Sequence, residues 1–230
     1  YDKGGHDFSL FNKTSQIYKE TVEDEVIVSV FLSNSEHTAV VTTGGRYSNV
    51  IYVYDGSGKW LYTQRFIDDN VMQAVFSDDN RYLYVTRVTS DNGNIVTKLS
   101  KYDISGDGTE LWSQSMSDCV SLSLELSGNV LTVTGDNMAA TYSADSGELI
   151  GNYSYPGTVE NFDASSSLKA FVFDDFTDDG KKTVILNDKC EVTASIAVSA
   201  DVKQIKVSGD TVFIMTESDI TQYNLSLESE

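Results

Sequence analysis

A cassette of a short apolar strand, a turn, a second strand, and then an aromatic-Asp or aromatic-Asn pair entering a Gly-containing turn returns five times along this chain. Its first strands start near Val26, Val71, Val120, Val159 and Val202, so successive starts lie 45, 49, 39 and 43 residues apart. A period of that length holds four short strands, which is one blade of a β-propeller. The expected class is therefore all-β, with four-stranded antiparallel blades and about five blades visible. The whole chain, 1–230, reads as one propeller domain. Its repeats run approximately over 25–69, 70–118, 119–157 and 158–200, with a half blade over 1–24 and an incomplete one over 201–230. The repeat constrains the fold and leaves the activity open, because propeller scaffolds carry many unrelated functions.

Residues 25–69 show the pattern most clearly. Val26 to Leu32 is an almost continuous apolar run, suited to a strand buried near a propeller axis, and Thr38 to Thr43 follows after a polar turn. Asn49 to Tyr54 makes a third strand, Gly56-Ser57-Gly58 reverses it, and Trp60 to Phe66 forms the fourth. No segment keeps a 3.6-residue apolar period over three turns, so no helical layer is expected. In the second cassette the extra length falls on a loop at Ser90 to Asn94 and on the turn from Ser105 to Thr109. The amino terminus offers a hairpin of third and fourth strands, and the last cassette offers three strands. Residues 16 to 23 are candidates for the outer strand that the last cassette lacks. That pairing leaves residues 7 to 12 as a surplus strand, so either a five-bladed ring carries an odd strand or the chain is part of a larger ring.

Charge narrows the partners. Sixteen Lys plus Arg against 35 Asp plus Glu give a net charge of -19. Nucleic acid and anionic lipid both call for a basic footprint, and the longest basic cluster is the pair Lys181-Lys182, so neither is expected as a partner. The acidity itself reads as solubility through mutual repulsion rather than as attraction of cationic partners. No apolar run of about 18 residues occurs, so membrane insertion within this segment is not expected. The chain starts at Tyr1 without an initiator Met, inside a half blade, which suggests that something was removed upstream.

The residues that carry chemistry elsewhere read as structure in this sequence. Trp60 and Trp112 follow Gly-containing turns and are read as equivalent blade positions, which favours packing between blades over an exposed sugar-binding platform. Tyr54, Tyr102, Tyr142 and Tyr223 recur before the turns and get the same reading. Asp103 to Gly108 and Asp175 to Gly180 open like calcium loops, but Gln114 and Leu186 stand where a bidentate Glu belongs. Only His6, His37, Cys119 and Cys190 supply nitrogen or sulfur ligands, none at chelating spacing, so zinc is not expected. Cys119 enters an inner strand and Cys190 an outer hairpin, on opposite faces, which argues against a disulfide between them. The pairs Asp68-Asp69, Asp78-Asp79, Asp174-Asp175 and Asp178-Asp179 read as solvated loop tips, because neighbours on a strand point to opposite faces. No catalytic, cofactor-binding or metal-binding residue is assigned, and no cofactor is expected.

The hairpins VYDGSGKWLY (53 to 62), KYDISGDGTELW (101 to 112) and TYSADSGELI (141 to 150) resemble the repeats of quinoprotein-like propellers. The strand pairs AVFSDDNRYLYVT and SLELSGNVLTVT resemble the first two strands of WD-like repeats. Together with DKGGHDFSLFNKTSQIYKE, they make the chain similar to a Gram-positive bacterial family of unknown function. Its members carry a short cytoplasmic segment, one membrane helix and an extracytoplasmic propeller. The resemblance implies an extracytoplasmic, membrane-tethered propeller, and the leading expectation is a noncatalytic binding module whose partner is a protein or a cell-envelope component. The alternative is an enzyme or cofactor-dependent sensor with a site at the propeller axis, quinoprotein-like or a lyase. Function is expected where the repeats differ, near Ser90 to Asn94 and Asp174 to Gly180.

Overall fold

The computed structural model describes residues 1–106, 108–155, 157–165, 167–175, 180–198 and 201–225. Every regular element among them is a strand. β1 (Asp7–Phe11) and β2 (Gln16–Thr21) form a two-stranded sheet. β3 (Val26–Leu32), β4 (Thr38–Gly44), β5 (Tyr47–Tyr54) and β6 (Trp60–Phe66) form the first four-stranded sheet. β7 (Asn70–Phe76), β8 (Tyr82–Asp91), β9 (Asn94–Asp103) and β10 (Glu110–Ser117) form the second. The third is β11 (Ser121–Ser127), β12 (Val130–Gly135), β13 (Met138–Ser143) and β14 (Leu149–Ser154), and the fourth is β15 (Gly157–Ala164), β16 (Lys169–Asp175), β17 (Gly180–Leu186) and β18 (Val192–Val198). β19 (Gln204–Ser208), β20 (Thr211–Met215) and β21 (Ile220–Asn224) make a three-stranded sheet. Each sheet runs in simple sequence order, the meander that short hairpin turns enforce. The chain divides into two compact units, Tyr1–Leu124 and Glu125–Glu230. Among the described residues there is no helix long and apolar enough to cross a membrane.

Two expectations about these strands need correction. The apolar run Val26–Leu32 is a strand over those residues, but only Ile27 in it is fully buried. The burial lies in the second strands instead: Thr38 through Thr42 of β4 are all buried. The reason is position in the sheet, since an inner strand is flanked on both edges and both faces while a first strand has one edge free. Nor is Ser90 to Asn94 a loop. β8 continues through Asp91 and β9 starts at Asn94, leaving the two-residue turn Asn92-Gly93 with φ of +50° and +85°. Positive φ at both central residues is what a type I′ hairpin turn requires, so the added residues lengthened two strands.

A β-bulge recurs at one place in five of the six sheets. The second residue of the outer strand is the extra one in β2, β6, β10, β14 and β18: Ile17, Leu61, Leu111, Ile150 and Thr193. In β2, β6 and β14 the residue after it meets the hairpin turn of the next repeat. An added Cβ on Gly58 would press on the Tyr18 ring, and one on Gly108 would overlap the Tyr62 ring, whose hydroxyl donates to the Gly108 carbonyl at 3.1 Å. In the second unit, a Cβ on Gly151 would overlap the Lys189 carbonyl. Glycine at 151 thus permits close approach of two backbones rather than an unusual φ. Gly151→Ala is expected to lower stability by about 1–3 kcal/mol through overpacking, read as a lower urea midpoint at unchanged slope.

Candidate functional site

Among the described residues, a network of charged side chains lies in the first unit around Arg87 on β8. Arg87 is buried, and its Nη atoms reach Asp69 at 3.2 Å, Glu110 at 2.9 Å and the Ser100 hydroxyl at 2.9 Å. The guanidinium also lies 5.1 Å from the centre of the Phe66 ring, an arrangement favoured by the ring's negative face. Tyr102 donates its hydroxyl to Glu110 at 2.8 Å, and Lys98 stands 3.9 Å from Asp69. Burial drives the Tyr102 phenol well above its usual range, with Glu110 adding to the rise, so it is a permanent donor. Asp69 is thus no solvated loop tip. The acceptors converge on Arg87, with Lys98 as a second cation beside Asp69, so this is a knot that ties β8 to β9, β10 and the β6–β7 turn. It offers no open position next to a nucleophile or base.

The second unit holds a different anomaly. Lys169, at the start of β16, is fully buried and its Nζ has no hydrogen-bond partner among the described residues. Its neighbours on that face are the core residues Phe171, Phe173 and Leu186. Burial holds its pKa below the ordinary value, opposed by Cys190, Asp188 and Glu125. Cys119 and Cys190 are both buried, and they are not joined by a disulfide. Burial raises the Cys190 thiol's pKa, so it is a poor nucleophile.

The remaining sequence candidates are local turns. Asp103 accepts from the backbone N–H and hydroxyl of Ser105 and pairs with Arg81 at 3.2 Å, while Asp107 lies outside the described residues. Most of Asp175 to Gly180 lies outside them as well. His6 Nδ1 sits 2.6 Å from the Glu25 carbonyl and His37 Nδ1 sits 3.4 Å from the Ser35 carbonyl. Among the described residues no group of three or more His, Cys, Asp or Glu is placed to hold a metal ion. Tyr102 and Tyr142 are core residues, and Tyr54, whose phenol burial pushes up to about 12, packs on Phe8 at 5.2 Å, so the packing reading of these tyrosines holds.

The packing reading of Trp60 does not hold. Register shows that Trp60 and Trp112 are not equivalent: Trp60 pairs with Tyr54 and opens its strand, as Glu110, Leu149 and Val192 do. Trp112 takes the place of Tyr62, two positions later. The second hairpin turn is longer, and that length conceals the offset in the sequence. Trp60 is 58% exposed, and its indole N–H donates to Thr63 at 2.9 Å, which fixes the ring's orientation. The bulged residue after it, Leu61, is 37% exposed, and its equivalent on β10, Leu111, is 49% exposed. In the second unit Leu149, Ile150 and Val192 repeat the arrangement. The bulge explains the exposure: the extra residue turns a side chain out of the alternation that would bury it. In the first unit the Tyr62–Gly108 contact sets the openings of β6 and β10 beside each other. Trp60, Leu61 and Leu111 are thus exposed apolar side chains at these two strand openings, and the Trp60 indole is held by its hydrogen bond.

The profile of a family described as "Family of unknown function (DUF5711)" matches residues 1–228. No curated protein matches the chain. Among solved structures, Hsv2p of Kluyveromyces lactis aligns with a TM-score of 0.63 at 11% identity, covering 98% of this chain and 70% of that one. A chain from the structure of BBS1N in complex with ARL6DN aligns with a TM-score of 0.60 at 13% identity, covering 98% and 74%. At such identities the likeness is one of fold alone, and the fold is the β-propeller that the repeat implied.

Proposed function

We infer that this chain, which belongs to a family of unknown function (DUF5711), is a noncatalytic interaction module that binds through the openings of its outer strands. The observation that carries this reading is the exposed, hydrogen-bonded indole of Trp60, with Leu61 and Leu111 exposed at equivalent strand openings. An orientation-fixed Trp contributes large contact area at little entropic cost, which is why such residues dominate binding energies. The same bulge twists the outer edge, which disfavours addition of a partner strand and leaves recognition to side chains. The BBS1N structure is that of a complex with ARL6DN, an example of a similar fold engaged by another protein.

By its resemblance to membrane-tethered extracytoplasmic propellers, the module works outside the cytoplasmic membrane, and its partner is a protein or another cell-envelope component. The location is tested by the coding sequence upstream of Tyr1. An apolar stretch of about 20 residues preceded by Lys or Arg supports the tether, and its absence contradicts it.

Binding is tested by passing envelope extract over the immobilised protein and over a Trp60→Ala, Leu61→Ser, Leu111→Ser variant. These side chains are exposed, so the variant is expected to keep its unfolding midpoint. It should lose the polypeptides or glycans that the wild type retains. Equal retention by both proteins contradicts the reading.

A further inference from the structure

We propose that Arg46, Tyr47 and Arg65, at the β4–β5 turn of the first unit and the adjoining strand β6, bind a phosphate monoester. The chain has four arginines. Arg81 and Arg87 are paired with carboxylates, at 3.2 Å to Asp103 and at 2.9 Å to Glu110. Arg46 and Arg65 are exposed, and neither has an ion-pair partner among the described residues, in a chain with 35 Asp plus Glu. They meet at one ring instead. The guanidinium carbons of Arg46 and Arg65 lie 5.0 and 5.8 Å from the centre of the Tyr47 ring, within the reach of a cation–π contact.

The backbone around the ring is tied down. Gly44 pairs with Tyr47, which leaves Gly45-Arg46 as the turn, and Gly45 supplies the positive φ of +63° that it needs. The Thr43 hydroxyl donates to the Ser48 carbonyl at 2.8 Å, and the Ser48 hydroxyl donates to the Ile67 carbonyl at 2.6 Å. The residue after Tyr47 is thereby joined to β4 and to the β6–β7 turn. Arg46 donates from Nη to the Tyr47 hydroxyl at 2.8 Å, so that oxygen is the acceptor and its own proton has no acceptor among the described residues. Glu25, whose backbone adjoins Gly44, is engaged elsewhere, since its carboxylate accepts from the Thr42 hydroxyl at 2.5 Å.

Two guanidinium forks and a phenol O–H are donors only, so the group that completes them is an anion that only accepts. A phosphate monoester fits better than a carboxylate. Its charge approaches -2 at pH 7, which balances both arginines, and its three terminal oxygens can accept from all three side chains. A carboxylate would leave one guanidinium charge uncompensated. The net charge of -19 repels anions at long range, but exposed charges beyond about 8 Å are largely screened at physiological ionic strength. A small monoester therefore meets chiefly the two arginines, whereas a long polyanion meets the rest of the acidic surface. The site is thus compatible with the expectation that neither nucleic acid nor anionic lipid is a partner.

The test follows the phosphorus NMR signal of methyl phosphate as the intact protein is added. A saturable change is expected, with Kd on the order of 1 mM. Arg46→Gln and Arg65→Gln should each weaken it at least about fivefold, and Tyr47→Phe, which keeps the ring and removes the O–H, about twofold. Both arginines are exposed, so these variants are expected to keep the wild-type unfolding midpoint. Arg81→Gln removes the same charge from a carboxylate-paired arginine and should leave binding unchanged. Acetate should displace methyl phosphate only at about tenfold excess or more. Displacement at equal concentration overturns the phosphate as the ligand. No saturable change, or one that survives both Arg46→Gln and Arg65→Gln, overturns the site. Weakening by Arg81→Gln as large as by Arg65→Gln overturns it too, as charge attraction alone.

Discussion

Arg87→Met is expected to destabilise the protein by about 3 kcal/mol, near the lower end of the range for breaking a buried ion pair. The loss comes from the partners left behind. Asp69 keeps a carboxylate whose side chain is only 14% exposed, with Lys98 as its remaining cation at 3.9 Å. Glu110 is 39% exposed and can recover solvent, so the cost stays below the upper end of that range. The stacked contact with Phe66 is lost as well. Urea unfolding followed by far-ultraviolet circular dichroism measures it as a shift in midpoint at constant slope. Combining Arg87→Met with Glu110→Gln should cost less than the sum of the two, because both remove one interaction. A loss under about 1 kcal/mol would show that the network is a surface pair in energetic terms.

The opposite sign is expected at Lys169. Lys169→Met should raise stability at neutral pH by about 1–3 kcal/mol, because it replaces a buried ammonium lacking hydrogen bonds with an apolar chain of similar length. Phe171, Phe173 and Leu186 already supply an apolar environment for the new side chain. The pH dependence follows from the depressed pKa. Unfolded, the amine titrates near its ordinary value of 10.5, and folded it releases its proton at lower pH. Between those values the unfolded state binds the additional proton, so the wild type gains stability as pH rises through that window. The advantage of Lys169→Met is therefore full below the folded pKa and shrinks as pH climbs toward 10.5. A variant less stable than wild type at neutral pH would mean that Nζ has a favourable interaction in solution.

Strand boundaries were legible wherever composition alternated between apolar runs and turn residues. Val26–Leu32 and Trp60–Phe66 are strands over the residues the pattern indicated. Asn92-Gly93 shows where that reading stops. Polar residues between two strands look like a loop until the pairing of Asp91 with Asn94 is known. The two tryptophans fail for a related reason, since a turn longer in one repeat than in another shifts the register, and sequence spacing counts from the turn. Arg87 and Lys169 each sit in strands where an alternating pattern predicts a solvent face. Only the neighbouring sheet decides that these faces are covered. The exposed indole was missed because burial of large aromatics is the usual outcome, and the bulge that reverses it has no signature at Leu61 or Leu111.

The proposed binding site is tested most directly by placing a photo-reactive amino acid at position 111 or at position 95 of the intact protein in the cells that make it. Leu111 and Ile95 are both 49% exposed, but Ile95 lies beside the Asn92-Gly93 turn, at the far end of its sheet from Leu111. Irradiation is expected to give a discrete adduct with another polypeptide from position 111 and none from position 95. Adducts of the same pattern from both positions, or from neither, would contradict the assignment of the outer-strand openings as the site of binding.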